Sequence, residues 1–327
     1  MRIFFTLVLA LALGVGGAAY VWLNRPFDLP TATVDLSIEP GVGARGVAQS
    51  VMLSGVPVNP LILEAWFRLS GQSRQIRAGS YELERNTTPR SLLQKLVRGE
   101  EALRSVTLVE GWTFRQVRDA LQKAEQLKPD SLALSAGEIM NQLGQPGVSA
   151  EGRFFPDTYT YSKGSSDLAV LKRALRAMDK RLAAAWAQRA PQSPLVNPEQ
   201  ALILASIVEK ETGSPNDRPA IAAVFSNRLA IGMRLQTDPT VIYGLGESFD
   251  GNLRKKDLLA DTPWNTYTRV GLPPTPIALP GKSSLIAAVQ PAQSKALYFV
   301  ARGDGSSQFS TSLDEHNRAV NKYQRGR

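Results

Sequence analysis

Residues 3–23 contain no charged side chain. Twenty-one residues at 1.5 Å per residue span the ~30 Å hydrocarbon core of a bilayer. In lipid a single segment can satisfy its own backbone only as a helix, so this stretch has one conformation open to it. Tyr20 and Trp22 stand near its end, where an aromatic belt would lie. The competing reading is a cleaved signal peptide with the small residues Gly16 to Ala19 as its processing site. Signal h-regions run to about 7–15 residues. This run is longer and continues through Tyr20-Val-Trp-Leu23, so a retained anchor is expected. Arg2 and the amino terminus face Arg25 across the span, which gives orientation little charge asymmetry. Either reading exports the rest of the chain.

The whole chain of 327 residues, with 43% hydrophobic and 20% charged content, suggests about two domains with a sizeable core. There is no cysteine, which excludes disulfides, thiolate metal sites and thiol catalysis. The single histidine, His316, excludes a cluster of histidine ligands, so a zinc enzyme is not expected. It could serve a serine triad, but no G-x-S-x-G elbow precedes it. The net charge of +9 suits an anionic surface, an acidic polymer or nucleic acid. Its modest clusters at 172–189 and 318–327 lack interleaved aromatics, so nucleic acid is not the expected partner.

Pro26 and Pro30 mark residues 24–33 as an extended linker. Strand, turn and helix patterns then repeat. Thr33 to Ile38 alternates as a strand, and a helix follows that carries Val47, Val51 and Met52. A second helix over 60–69 carries Ile62, Trp66 and Phe67, and residues 75–83 read as a strand. Thr88 and Pro89 open a helix through Leu92, Leu93 and Leu96 to Gly99. Leu103 to Val109 is a strand, and Thr113 opens a helix with Val117 and Leu121. Residues 151–159 are aromatic and turn-rich, which is odd for plain core. A helix over 167–187 turns Leu168, Leu171, Leu175 and Met178 inward. Asn216 to Pro219 starts another, and Gln236-Thr-Asp-Pro239 reads as an ST or Asx turn before a strand. A helix at 282–290, a strand at 297–300 and a last helix bearing His316 close an α+β chain.

Residues 202–212, Leu-Ile-Leu-Ala-Ser-Ile-Val-Glu-Lys-Glu-Thr, are an apolar run ending in two carboxylates. Asn197 and Pro198 read as its N-cap and first turn, and Gly213 and Pro215 as its stop. Acids are favoured in a helix's first turn; these two oppose the dipole in its last. At about 100° per residue, Leu204, Ile207, Val208 and Glu211 share a face, while Glu209 lies roughly 160° away near Leu202 and Ser206. They cannot act as a facing pair. An apolar setting raises a carboxyl pKa and makes Glu211 a candidate proton donor near neutrality. The alternative is that Glu211 pairs with a core arginine while Glu209 is a solvated flank residue.

Several segments together resemble a known family. They are Glu151-Gly-Arg-Phe-Phe-Pro-Asp-Thr-Tyr159, Ala205-Ser-Ile-Val-Glu-Lys-Glu-Thr212, Phe225-Ser-Asn-Arg-Leu229, Met233-Arg-Leu-Gln-Thr-Asp-Pro-Thr-Val-Ile-Tyr-Gly244, Asn265-Thr-Tyr267, Gly271-Leu-Pro-Pro274 and Leu297-Tyr-Phe-Val300. The chain resembles the endolytic murein transglycosylases, the YceG-like or MltG family. The resemblance implies a single-pass inner-membrane protein, with residues 1–2 cytoplasmic, 3–23 transmembrane and the bulk periplasmic. It implies a LysM-like peptidoglycan-binding subdomain over 34–105 and a YceG-like catalytic domain over 106–327. It implies lytic cleavage of MurNAc-β-1,4-GlcNAc bonds within glycan strands, leaving 1,6-anhydro-MurNAc ends, with no cofactor. The catalytic glutamate of the family falls on Glu211, with Glu209 as runner-up. Gln236, Thr237, Asn265 and Tyr267 are candidates for orienting sugars. The partners implied are peptidoglycan strands and cooperating peptidoglycan synthases, the penicillin-binding proteins. Two other functions fit the residues: a non-catalytic peptidoglycan-binding tether, and a glycan hydrolase with Asp238 as second carboxylate.

Overall fold

The charge-free run forms one helix, α1 (Arg2–Asn24), long and apolar enough to cross a membrane. The computed structural model describes residues 2–326 apart from 213 and 215, so the expected helix stop at Gly213 and Pro215 lies outside the described residues. The chain divides into two compact units, Met1–Arg104 with Thr160–Ser165, and Ser105–Tyr159 with Ser166–Arg327.

In the first unit, β1 (Thr33–Ile38) pairs antiparallel with β2 (Gly79–Glu84), Thr33 opposite Glu84 and Ile38 opposite Gly79. Alternation along β1 buries Val34, Leu36 and Ile38, as a half-covered strand requires. Three helices, α2 (Ala44–Leu53), α3 (Pro60–Leu69) and α4 (Pro89–Arg98), supply most of the rest of this core, with Phe27, Leu29 and Val56 from connecting segments. The Asn59 side chain caps α3 by accepting the Leu61 N–H. Thr88 and Ser91 exchange hydrogen bonds in a capping box that starts α4, and Gly99 ends it with φ 69°. Of the apolar residues that these helices carry, Met52 and Ile62 are exposed. The inward rows are instead Val47 with Val51 and Leu63 with Phe67, four apart on one face. Full burial of a side chain such as Phe67 or Leu63 stabilises by about 1.5–3 kcal/mol. The second strand starts at Gly79 because Ser73–Gln75 is taken up by a 3-10 turn.

The second unit is organised on one helix. Strands β3 (Leu103–Thr107) and β4 (Thr158–Ser162) each run across the limits of this unit, and the chain between them carries α5 (Phe114–Lys123) and α6 (Ala136–Gln142). Then come α7 (Asp167–Trp186), α8 (Pro198–Glu211), α9 (Arg218–Ala230), α10 (Asp238–Leu245), α11 (Lys255–Leu259) and α12 (Lys282–Val289). A hairpin of β5 (Tyr298–Ala301) and β6 (Ser307–Ser310) and a final helix α13 (Leu313–Gln324) finish the unit. Helices α7, α9, α10 and α12 all pack on α8. That is why every residue of α8 from Ala201 to Val208 is buried, with no solvent face. On α7, Val170, Leu171, Leu175 and Met178 are buried while Leu168 is only half-buried. The segment from Asp238, expected as a strand, is the helix α10: Pro239 sits in its first turn, where a missing N–H costs nothing.

Candidate active site

Asn197 starts α8 by accepting the Gln200 N–H at 2.9 Å, with Pro198 in the first turn. Since α8 is buried all round, each polar group along it requires a partner. Ser206 donates to the Ile203 carbonyl at 2.7 Å and accepts the Ile277 N–H at 3.0 Å. The same requirement applies to the two acids that end the helix, and it is met in different ways.

Glu209 is not a solvated flank residue. Its side chain is only 5% exposed, and its carboxylate takes the Arg218 guanidinium at 2.9 Å and the Gly281 N–H at 2.8 Å. Arg218 is itself buried, and Glu110 approaches it at 4.0 Å. Burial, then the Glu209 charge, raises the Glu110 pKa. Glu209 thus ties the end of α8 to the start of α9 and the turn before α12. A core arginine, Arg218, thus pairs with Glu209 and not with Glu211.

Glu211 carries no ion pair among the described residues. One oxygen accepts the Thr237 hydroxyl at 2.7 Å. Burial raises its pKa above the ordinary carboxylate value; the Thr237 bond opposes that shift, the Asp238 charge adds to it and the Arg228 charge opposes it. The carboxyl opens on a cleft of about 590 Å³ shared with Arg228, Gln236, Asp238, Tyr267 and His316. A buried acid with a raised pKa, one hydroxyl donor and an open side can give a proton and take one back.

The four expected sugar-orienting residues take different places. Thr237 is buried and spends its hydroxyl on Glu211, while its N–H donates to the Thr266 hydroxyl at 3.1 Å. Thr240 closes this small network, contacting the Thr266 hydroxyl at 2.9 Å and donating to the Thr237 carbonyl at 2.8 Å. Thr237 therefore positions Glu211. Asn265 is fully buried: its amide donates to the carbonyls of Asp257, Leu258 and Ala260, and its oxygen accepts the Tyr267 N–H. Its polar atoms are used in holding the loop, so it is a scaffold residue and not a sugar ligand. Gln236 and Tyr267 do line the cleft. Gln236 is exposed, with φ +50°, a left-handed conformation uncommon outside glycine. Tyr267 donates its phenol to Asp238 at 2.6 Å. Burial and then the Asp238 carboxylate push its pKa up, which keeps it a donor.

Two cleft residues were not singled out in the sequence as site residues. Arg228 is buried, its guanidinium fixed by the carbonyls of Leu297 and Leu235, each at 2.7 Å, and set 5.2 Å from the Tyr298 ring centre. Its signal was legible: it stands three and four residues after Phe225 and Val224, on the apolar face of α9. His316 stacks on Tyr298 at 5.2 Å, with its Nδ1 buried and making no hydrogen bond among the described residues. Burial, then the Arg228 charge, holds its imidazole below the usual pKa. Only its being the sole histidine marked it. Among the described residues no cluster of three His, Asp or Glu side chains could hold a metal.

The sequence matches the YceG-like family over residues 36–322. It is 31% identical over 308 residues to a Bacillus subtilis (strain 168) protein named endolytic murein transglycosylase, covering 89% of this chain and 85% of that one. A Streptococcus pneumoniae serotype 2 protein of the same name is 26% identical over 320 residues, covering 88% of this chain but 58% of the pneumococcal one. A crystal structure of a YceG-like protein from Listeria monocytogenes superposes with a TM-score of 0.56 at 30% identity, covering 88% of this chain and 98% of that one. With the family matched across most of its length, the chain belongs to the YceG-like family.

Proposed function

We propose that the chain is an endolytic peptidoglycan lytic transglycosylase, cutting MurNAc-β-1,4-GlcNAc bonds within glycan strands. The observation that carries this reading is Glu211: a carboxyl raised in pKa by burial, held by one hydroxyl and open to a cleft. Protonated Glu211 gives its proton to the glycosidic oxygen as the C1–O bond breaks. The resulting carboxylate takes the proton of the same sugar's C6 hydroxyl as that oxygen bonds to C1. The proton returns to Glu211, no water is consumed, and the new end is 1,6-anhydro-MurNAc. One carboxyl thus does the work that an ordinary glycosidase divides between two. Thr237 holds Glu211, and Gln236 and Tyr267 face the bound sugars.

The names of the relatives support murein as the substrate class. The first unit, with residues 34–105 as its LysM-like part, serves to hold the glycan, and α1 anchors the chain in the inner membrane with the rest periplasmic. Cooperation with penicillin-binding synthases would let internal cuts set strand length. The test is product analysis on purified glycan strands with Glu211→Gln beside Glu209→Gln. Retained release of anhydro ends by Glu211→Gln would overturn the assignment.

One observation favours a second reading, hydrolysis. Asp238 lines the same cleft, and its charge acts on Glu211. As a base it would activate water and leave reducing MurNAc ends, so the mass of the new end distinguishes the two.

A further inference from the structure

The Glu-Lys-Glu sequence that ends α8 sends its last two side chains to different cavities. Glu211 opens on the catalytic cleft, and Lys210 borders a second cavity of about 800 Å³ within the same unit. Helix α10 serves both: Asp238 faces the first, while Ile242 and Tyr243 line the second.

The second cavity has aromatic walls and a polar floor. Tyr243 and Trp264 meet edge to face with ring centres 5.6 Å apart, and Phe249 adds a third ring. The floor is Glu151, the first residue of the turn-rich segment that looked odd for plain core. Its carboxylate is buried, and it accepts the Phe114 N–H at 3.0 Å and the Tyr243 hydroxyl at 3.2 Å. At the rim Arg115 is paired with Glu247 at 2.8 Å. Lys210 is exposed; its ammonium reaches only the Gly111 carbonyl, at 3.3 Å, and no carboxylate within ion-pair distance among the described residues. Ring faces with hydrogen-bonding groups at their edges match a pyranose, which has C–H faces and a polar rim. A polymer cut internally also has to be held on both sides of the cut.

We propose that this second cavity holds a further N-acetylated sugar unit of the glycan strand. Its ring packs on Phe249 and the Tyr243–Trp264 pair, and Lys210 donates to a hydroxyl or acetamido oxygen. The proposal rests on the glycan reading above and gives Lys210 a role that the chemistry at Glu211 does not.

The experiment is calorimetric titration with a β-1,4-linked N-acetylglucosamine oligomer, on full-length Glu211→Gln protein in detergent so that nothing turns over. Phe249→Ala and Lys210→Gln are added singly; Lys210 is exposed and Phe249 only half-buried, so the fold tolerates both. Each is expected to weaken binding roughly three- to tenfold. Affinity unchanged by both substitutions overturns the proposal, and so does absence of oligomer binding by the parent. Failure of the wild type to cleave strands, with the Phe249 and Lys210 dependence intact, would remove the catalytic reading and leave the binding site.

Discussion

Replacing Glu209 by Gln separates structure from chemistry at the end of α8. The change keeps size and one acceptor for the Gly281 N–H, but removes the anion that faces Arg218. Breaking a buried ion pair by removing one partner costs about 3–5 kcal/mol, because the other charge stays buried. Two features reduce that here. The glutamine oxygen still accepts, and half-exposed Glu110 remains 4.0 Å from Arg218. A loss of ~2–3 kcal/mol follows. For a unit of this size, at ~2–4 °C per kcal/mol, melting falls by about 5–10 °C. Circular dichroism melts of the full chain in detergent would read this, alongside release of anhydro ends at a temperature where the variant stays folded. Folded Glu209→Gln is expected to retain turnover. A wild-type melting temperature together with lost turnover would refute the argument, since Glu209 would then be the chemical acid.

Two further outcomes follow from the surroundings of Glu211 and Glu151. The Thr237 hydroxyl stabilises the carboxylate of Glu211, so Thr237→Val raises the Glu211 pKa further. The acid step needs the protonated form, so the alkaline limb of the pH–activity profile moves to higher pH; a shift to lower pH would contradict the assignment. Burial of Glu151 pushes its carboxyl up to about 7 from 4.5. The folded state then binds this proton more tightly than the unfolded chain, so the contribution of Glu151 is full below pH 4.5 and is lost as pH rises to about 7. The loss is on the order of 3 kcal/mol, and Glu151→Gln should flatten this part of a urea-denaturation series against pH; an unchanged slope would show that Glu151 is not the group titrating.

What the sequence made legible was local. Asn197, Thr88 and Thr113 cap helices because a hydroxyl or amide oxygen one step before an apolar period has few other uses. The wheel separated Glu209 from Glu211 because two residues of helix fix an angle whatever surrounds them. It could not say what each acid would meet. The Gly281 N–H that Glu209 accepts lies 72 residues away, and the Thr237 hydroxyl on Glu211 lies 26 away. Those separations are also why the sequence does not reveal that the core arginine Arg218 pairs with Glu209 and not with Glu211. A short apolar helix offers two nearly equal faces, and packing buries Val51 and Leu63 while Met52 and Ile62 stay exposed. Asn265 looked like a sugar ligand by its chemistry, yet three loop carbonyls claim its amide. The second unit's cavities are assembled from segments far apart in the chain, so neither periodicity nor motif spacing could outline them.

The central claim is that one carboxyl, Glu211, does both proton transfers. Mass spectrometry of glycan ends after incubation with wild type and Glu211→Gln tests it most directly. Wild type should produce 1,6-anhydro-MurNAc ends, and Glu211→Gln, folded to the same melting temperature, should release them about 10²–10⁴-fold more slowly. Reducing MurNAc ends from the wild type, or undiminished anhydro ends from Glu211→Gln, would contradict it.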